Sequence, residues 1–511
     1  MGDRPTSIDL ERDPTHRDLP LASGGRIAKL WQGQAGPSGV ALEVSEVELA
    51  EAATPARLRQ AWNVRRAGNP RPVIVFAHSG ASLIVCGPDG SPPPVATLEP
   101  AVAQRIFDRI LNEPPTQARL RAIALLSRAQ GSGDVPGFRN RSLVSTHYVT
   151  NVLPRQAGRD WTDAAALGSE ALGKSGDELI KALGYSLTAI GPQEYQVKDG
   201  DETVAVVHVY PDGTSLDRVG AGQSAPPASH GLKRARELGL DHALLVTGSL
   251  LRIYSLQAEE TLDEGVAAAA YVEFDTDLLP TEHGQLLGAL AAPDALRRDG
   301  RLSRIRRESG RYAVELRDRF TKRLYEEVVD LLVRGIYGAA RRSGLGPLPD
   351  ENLLYRGTLV LLFRLLFLLY AEDRNLLPMQ QSVYRARSIT EMVRSAAATA
   401  TDPHRRFDAS AVSIWTDLRQ LFAAVRDGNA DWGVPPYDGG LFADEDGLDG
   451  GLLAAIDLPN AVIGPALHLL GWDEADGEAG KVDFGDVGVR QIGTIYEGLL
   501  WYEVAFAATD L

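Results

Sequence analysis

The sequence holds a single cysteine, Cys86, in 511 residues. That excludes an intramolecular disulfide framework and any metal cluster built from cysteines. Other signatures of chemistry are missing as well. There is no HExxH, no CxxC and no Gly-x-Ser-x-Gly, and no glycine-rich phosphate loop is assigned. The nine histidines are scattered, with no two at ligand spacing on one helix. No catalytic residue and no metal ligand is therefore assigned from motifs. Long hydrophobic runs are scarce too. The main one, Leu359–Ala371 (LVLLFRLLFLLYA), contains Arg364 and falls short of the roughly 20 residues that span a bilayer. A buried core helix is the expected outcome, with no membrane partner. The opening residues lack the pattern of a secretory signal, so a reducing cytoplasm is the expected location.

What is present suffices for a large folded protein. Apolar residues make up 44% and charged residues 24% of the chain, with little low-complexity sequence. Its length suggests roughly three domains. A net charge of −15 speaks against a nucleic-acid partner only until its distribution is examined. Asp427 to Asp486 carries 14 acidic residues and one basic residue, Lys481, which is −13 of the −15. Arg297 to Arg323 carries 11 basic residues against four acidic ones, a local +7. The chain thus has one basic stretch and one acidic lobe, and bulk charge says little about partners.

The expected fold class is α/β plus α, with two small α/β domains followed by a mainly helical one. Residues 1–24 are polar and expected to be loosely ordered. Residues 25–135 read as a small α/β domain, marked by the apolar runs Pro72–Ala77 and Ser82–Gly87 at hairpin spacing and by helices at Ala101–Leu111 and Gln117–Ala129. A boundary is expected at Gly131–Pro136. Residues 140–280 read as a second α/β domain. It has a helix at Ala164–Leu183, strands at Thr203–Tyr210, Ala243–Thr247 and Leu251–Ser255, a helix at Leu232–Leu238 and an edge strand at Tyr271–Phe274. From 285 to 511 the periodicity is helical, over Ala313–Tyr337, Asn352–Asp373, Ile389–Ala398, Ser410–Asp427, Leu453–Leu470 and Val489–Ala505.

The second α/β domain has the element order of a PD-(D/E)xK nuclease, and a degenerate form of that fold is among the expectations. That chemistry needs an acid at one strand end and an acidic-x-Lys on the next strand, converging on a divalent metal. The candidate central strand, Val206–Tyr210, has neither. Glu170, Asp177 and Glu178 could be ligands but read better as a solvated helix face, so a metal-dependent nuclease is disfavoured. The arginines of the basic stretch, Arg297, Arg298, Arg301, Arg304, Arg306, Arg307 and Arg311, are candidate phosphate contacts to double-stranded DNA. A solvated helix with pairs such as Glu315 with Arg319 is the competing reading.

Three further strings read physically as caps and turns: Tyr370–Pro378 (YAEDRNLLP), Pro436–Phe442 (PYDGGLF) and Asp483–Leu500 (DFGDVGVRQIGTIYEGLL). In this order, over about 355–502, they closely resemble the helical region that precedes the catalytic domain in type IIG restriction-modification enzymes and in the adenine methyltransferases of BREX and DISARM phage-defence systems. The α/β half, including Leu216–Val219 and Leu244–Ser255, resembles the family's upstream region more weakly. The resemblance implies a bacterial S-adenosylmethionine-dependent DNA methyltransferase, of which this chain is the non-catalytic DNA-engaging and scaffolding part. It implies a methyltransferase domain in cis or in a partner subunit, docked at Arg490, Gln491, Tyr496 and Glu497, with other defence-system proteins as further partners. The family's cofactor loop and Asn-Pro-Pro-Tyr are missing; Gly433–Tyr437 (GVPPY) has Val434 where the asparagine is needed. No cofactor is therefore expected in this chain. The apolar stripe Ile492, Ile495, Leu499 and Leu500 leads to the expectation that the polypeptide continues past Leu511 or meets a separate subunit. A protein-binding assembly subunit of a defence complex is the alternative, favoured by the acidic lobe.

Overall fold

The computed structural model describes residues 8–500 apart from 22–24, 37–39, 91, 132–134, 157–158, 221–223, 257–269, 345–348, 375, 380, 438–439, 445–448, 476–477, 483 and 485–488. It is a mixed α/β protein, 51% helical, with two large sheets. The described chain divides into two compact units, residues 1–143 with 157–306, and residues 144–156 with 307–511.

The first unit contains both sheets. Its first lobe runs β1 (His16–Pro20), β2 (Arg26–Gln32), β3 (Glu43–Glu48), α1 (Pro55–Arg66), β4 (Val73–Ser79), β5 (Ser82–Cys86), β6 (Val95–Leu98), α2 (Pro100–Leu111) and α3 (Pro115–Gly131). The strands lie in sequence order, all antiparallel except β3 and β4, which the α1 crossover makes parallel. Alternation explains why VIVFA is apolar throughout. Val73, Val75 and Ala77 pack with Leu58, Ala61 and Trp62 of α1, while Ile74 and Phe76 pack with α2 and α3 through Ile106, Phe107 and Leu125. Both faces are covered, so both need apolar residues. Among the described residues of the segment expected to be loosely ordered, Ile8 and Leu10 are buried with Trp31 and Phe107, and His16–Pro20 pairs as β1.

The second lobe begins with β7 (Phe138–Arg141). After α4 (Leu153–Gln156), which belongs to the other unit, come α5 (Arg159–Ala171), α6 (Gly176–Ala182), β8 (Ser186–Gly191), β9 (Glu194–Asp199), β10 (Glu202–Tyr210), α7 (Pro227–Glu237), β11 (His242–Thr247), β12 (Leu250–Ser255), β13 (Tyr271–Asp275) and α8 (Gly284–Ala291). The sheet order is β7-β13-β12-β11-β10-β9-β8, with only β10 and β11 parallel. The expected single helix over Ala164–Leu183 is two helices, because Gly173 and Gly176 take positive φ angles of 73° and 59° between them. The expected edge strand Tyr271–Phe274 is internal. Strand β7 covers its outer side, with Phe138 against Phe274 at 5.1 Å between ring centroids.

The two sheets share one topology that the sequence does not announce. Three antiparallel strands, a crossover helix, three more strands and a helix occur as β1–β3, α1, β4–β6, α2 and again as β8–β10, α7, β11–β13, α8. In both, the crossover joins the one parallel pair. Strand β7 has no counterpart in the first sheet.

The long helix α9 (Arg301–Arg323) begins in the first unit and continues in the second, where a π-turn over Leu324–Val328 joins it to α10 (Val329–Arg342). The expected helix over Ala313–Tyr337 falls within this longer helical run. Then follow α11 (Glu351–Asp373), α12 (Ser382–Arg385), α13 (Ile389–Ala400), α14 (Ser413–Asp427), α15 (Asp449–Ala454), α16 (Asn460–Gly471), the hairpin β14 (Trp472–Ala475) and β15 (Glu478–Lys481), and α17 (Val489–Leu499). The expected helix Leu453–Leu470 is broken at Pro459, which caps α16. Helix α11 runs through the core, with Leu361, Leu362, Leu365, Leu366, Leu368 and Leu369 fully buried. It is the one helix among the described residues long and apolar enough to cross a membrane, and 67% of its most apolar stretch is buried inside the protein.

Candidate nucleic-acid interface

The strings singled out in the sequence meet around α11. Arg364, almost wholly buried, donates to the carbonyls of Leu441 and Ala443 at 2.7 Å each and pairs with Asp444 at 3.0 Å. Its guanidinium also lies over the Phe422 and Phe442 rings. An arginine in the most apolar run of the chain is thus the bolt that holds the GGLF turn. At the end of α11, Glu372 accepts from the Tyr384 hydroxyl at 2.7 Å and from the amides of Ile389 and Thr390 at 3.0 and 2.9 Å. It caps α13 from outside that helix, and burial raises its pKa despite these donors. Next to it, Asp373 accepts from Lys481 and from the Phe484 amide, which ties in the start of the third string. Tyr355 and Tyr325 donate to the Leu499 and Ile495 carbonyls of α17 at 2.6 and 3.1 Å. Most of DFGDVG, and Asp438-Gly439 of the turn, lie outside the described residues.

The basic stretch divides by exposure. Arg301 is buried and donates to the Ala289 and Gly288 carbonyls at the end of α8, with Asp294 at 2.8 Å. It closes a helix terminus and is corrected from a phosphate contact to a structural residue. Arg297 pairs with Asp199 at 2.5 Å, and Arg306 is half-buried. Arg298 is 82% exposed. Arg304, Arg307 and Arg311 are exposed, and their spacing puts them along one face of α9. Toward the carboxyl end, Arg319 and Arg323 pair with Asp473 at 2.8 and 2.9 Å, so Arg319 closes on the acidic lobe. For the docking set, Tyr496 is 46% exposed with its ring edge-on to Phe363, and Glu497 is exposed. The side chains of Arg490 and Gln491 lie outside the described residues.

The second lobe has the order α6, β8, β9, β10, α7, β11, and its register names the positions that metal chemistry would use. Glu194 begins β9 and sits directly opposite His208 of β10, with Tyr210 two residues on. Sequence reading missed Glu194 because only the pairing register brings it to that strand. The acidic-x-Lys position is His208-x-Tyr210. Arg234 of α7 holds Glu194 at 2.5 Å, placing a guanidinium where a cation would be needed. His208 is buried against His230 and Tyr210, and burial lowers its pKa to about 4. Glu170 is exposed and Asp177 pairs with Lys181 on a solvent-facing helix. Among the described residues no group of three or more His, Cys, Asp or Glu could hold a metal ion.

One string escaped the motif reading. Gly168–Ser175 (GSEALGKS) has the residue spacing of a phosphate-binding P-loop. Its setting is wrong for that role. Residues 168–171 lie within α5 rather than in a loop after a strand, and the Gly173 and Gly176 amides donate to the carbonyls of Thr276 and Gly248. No open cradle of N–H groups is left there.

The fold and these placements define a mixed α/β and helical protein with a basic helix face and an internally bolted helical unit. Compared with family models, curated proteins and solved structures, the chain matches none.

Proposed function

We propose that this chain is the non-catalytic, DNA-engaging and scaffolding part of a bacterial S-adenosylmethionine-dependent adenine-specific DNA methyltransferase of a restriction-modification or phage-defence system, working in the cytoplasm. The observation that carries this reading is the joining of the three ordered strings. Arg364, Glu372 and Asp373 lie in or just before the first string, and their partners include the GGLF turn and Phe484. Residues that define the resemblance are thus the ones that fasten the helical unit. Arg304, Arg307 and Arg311 supply a face suited to phosphates, which position a protein on DNA without reading sequence. The methyl transfer itself belongs to a domain in cis or in a partner subunit, since the cofactor loop and Asn-Pro-Pro-Tyr are missing from this sequence.

The acidic lobe supports a second reading, an assembly subunit that binds other defence proteins and hardly touches DNA. A salt titration of duplex DNA binding separates the two. On the first reading binding weakens steeply with salt, and replacing Arg304, Arg307 and Arg311 by Ala flattens the slope by roughly 3. Binding too weak to titrate at low salt would favour the assembly subunit.

A further inference from the structure

A second cluster of arginines lies on the sheet of the second lobe. The register sets Arg139 opposite Glu273 and Glu273 opposite Arg252, and two residues along it sets Arg141 opposite Tyr271 and Tyr271 opposite Tyr254. Directly paired residues point to the same face of a sheet, so these six side chains form one patch across β7, β13 and β12. The same face continues to Ala243 and Leu245 of β11, where α7 covers it through Leu232 and Ala235. The β7 end lies beyond α7.

At its centre, Arg252 is only 3% exposed. Its guanidinium bonds Glu273 at 2.7 Å, stacks over the Tyr271 ring at 4.2 Å and grips both oxygens of Asp217 at 2.6 and 3.0 Å. Asp217, by contrast, is 60% exposed. It comes from the loop between β10 and α7, anchored beside it by the buried Leu216. Arg252 first, then Arg141 and Arg139, hold the Asp217 carboxyl below the usual carboxylate range. An exposed anion bound bidentately by a buried arginine, with two more arginines around it, has the donor set that takes a phosphate. Arg139 and Arg141, both exposed, alternate along the edge strand, and Arg218 follows Asp217 on the surface. Arg252, Arg139 and Arg141 thus gather around Asp217 and Glu273 in a chain whose net charge is −15.

We propose that the β7 edge is a second nucleic-acid surface, where Arg139, Arg141 and Arg218 contact the phosphates of duplex DNA and Asp217 occupies one anion position from within. This rests on the DNA-engaging reading but names residues other than those of α9. Strand β7, the strand without a counterpart in the first sheet, supplies two of the three arginines.

The test is fluorescence anisotropy with the full chain and a labelled duplex across a salt series. The Arg139→Ala, Arg141→Ala double variant should weaken binding roughly fivefold or more and flatten the log–log salt slope by about 2. The Lys double variant should retain most of the slope, which separates charge from folding. Asp217→Asn removes the internal anion and should tighten binding roughly twofold, a gain that a merely structural loop contact would not produce. If the Ala double variant leaves affinity and slope unchanged while the α9 triple variant alters both, the β7 surface is refuted and the DNA-engaging reading stands. A wild-type chain that shows no salt-dependent binding overturns both.

Discussion

Single buried side chains set the first expectations. Arg364 lies in an apolar helix yet satisfies two carbonyls and shares the Asp444 carboxylate with Arg426, so Arg364→Met should lose about 3 kcal/mol or more of stability, because it takes the guanidinium donor from the Leu441 and Ala443 carbonyls. Urea unfolding measures this; a loss below about 1 kcal/mol would mean the GGLF turn is held by its aromatics. His208 and His242 are buried, and burial lowers both from the ordinary 6.5 to about 4. The fold therefore prefers the neutral ring. Their contribution is complete above pH 6.5 and is lost as pH falls toward 4, at up to about 1.4 kcal/mol per pH unit for each ring. Asp277 has the opposite sign. Burial first, with Asp275 adding to it against the pull of Arg109, raises it to about 6, so its contribution is present at low pH and fades as pH rises through 6. Substituting both histidines by Phe isolates their part. Wild type should lose stability more steeply than the variant between pH 6.5 and 4.5, and parallel pH profiles would count against neutral rings in the fold.

Elements bring in constraints that no side chain carries alone. Helices α5 and α8 cross so closely that a Cβ on Gly168 would sit 1.8 Å from the Gly284 carbonyl oxygen, and one on Gly288 would sit 1.8 Å from that of Ala164. Both glycines are there for approach rather than for backbone freedom. Gly288→Val should cost about 3 kcal/mol, since the helices must separate to admit it, and a thermal midpoint close to wild type would show that the crossing can relax. The same crossing explains why a P-loop spacing in this chain is not a P-loop: its first glycine is a helix contact. Helix α9 shows the reverse case, where an element sorts a run of like residues. Arg301, Arg319 and Arg323 close internal contacts while Arg304, Arg307 and Arg311 face outward. Replacing the outward three should leave helicity by circular dichroism intact and weaken DNA binding.

For the whole molecule, charge is partly rearranged by folding. Asp473 of the acidic lobe meets Arg319 and Arg323, and Asp444 meets Arg364 and Arg426, so the lobe is less bare than its sequence suggests. Calorimetric titration of the 511-residue chain with S-adenosylmethionine should show no micromolar binding, and a clear isotherm would contradict the non-catalytic reading. Incubation with plasmid and Mg²⁺ or Mn²⁺ should leave the DNA uncut, because Arg234 stands on Glu194 and His208-x-Tyr210 lacks an acid and a lysine.

Much of the fold was legible because local patterns agree with it. The VIVFA and SLIVC runs announced a hairpin, and the strand cores at Thr203–Tyr210, Ala243–Thr247 and Leu251–Ser255 fall within β10, β11 and β12. The long apolar run announced a core helix by its composition. Strands β1, β2, β3, β6, β7, β8 and β9 carry too little alternation to be read from the sequence; in β8, for one, no residue is buried. Pairing and register are non-local. Which strand flanks β13, which acid faces His208 and which arginines share a face with Arg252 depend on residues brought together from far apart in the chain, 134 positions for Arg139 and Glu273, through a direct pairing that no local pattern encodes. Residue type and spacing suffice for the kinds of element, for the exclusions that follow from a single cysteine and for the basic and acidic stretches. Which arginines are bolts and which face solvent depends on burial, and burial belongs to the packed fold and not to any one segment.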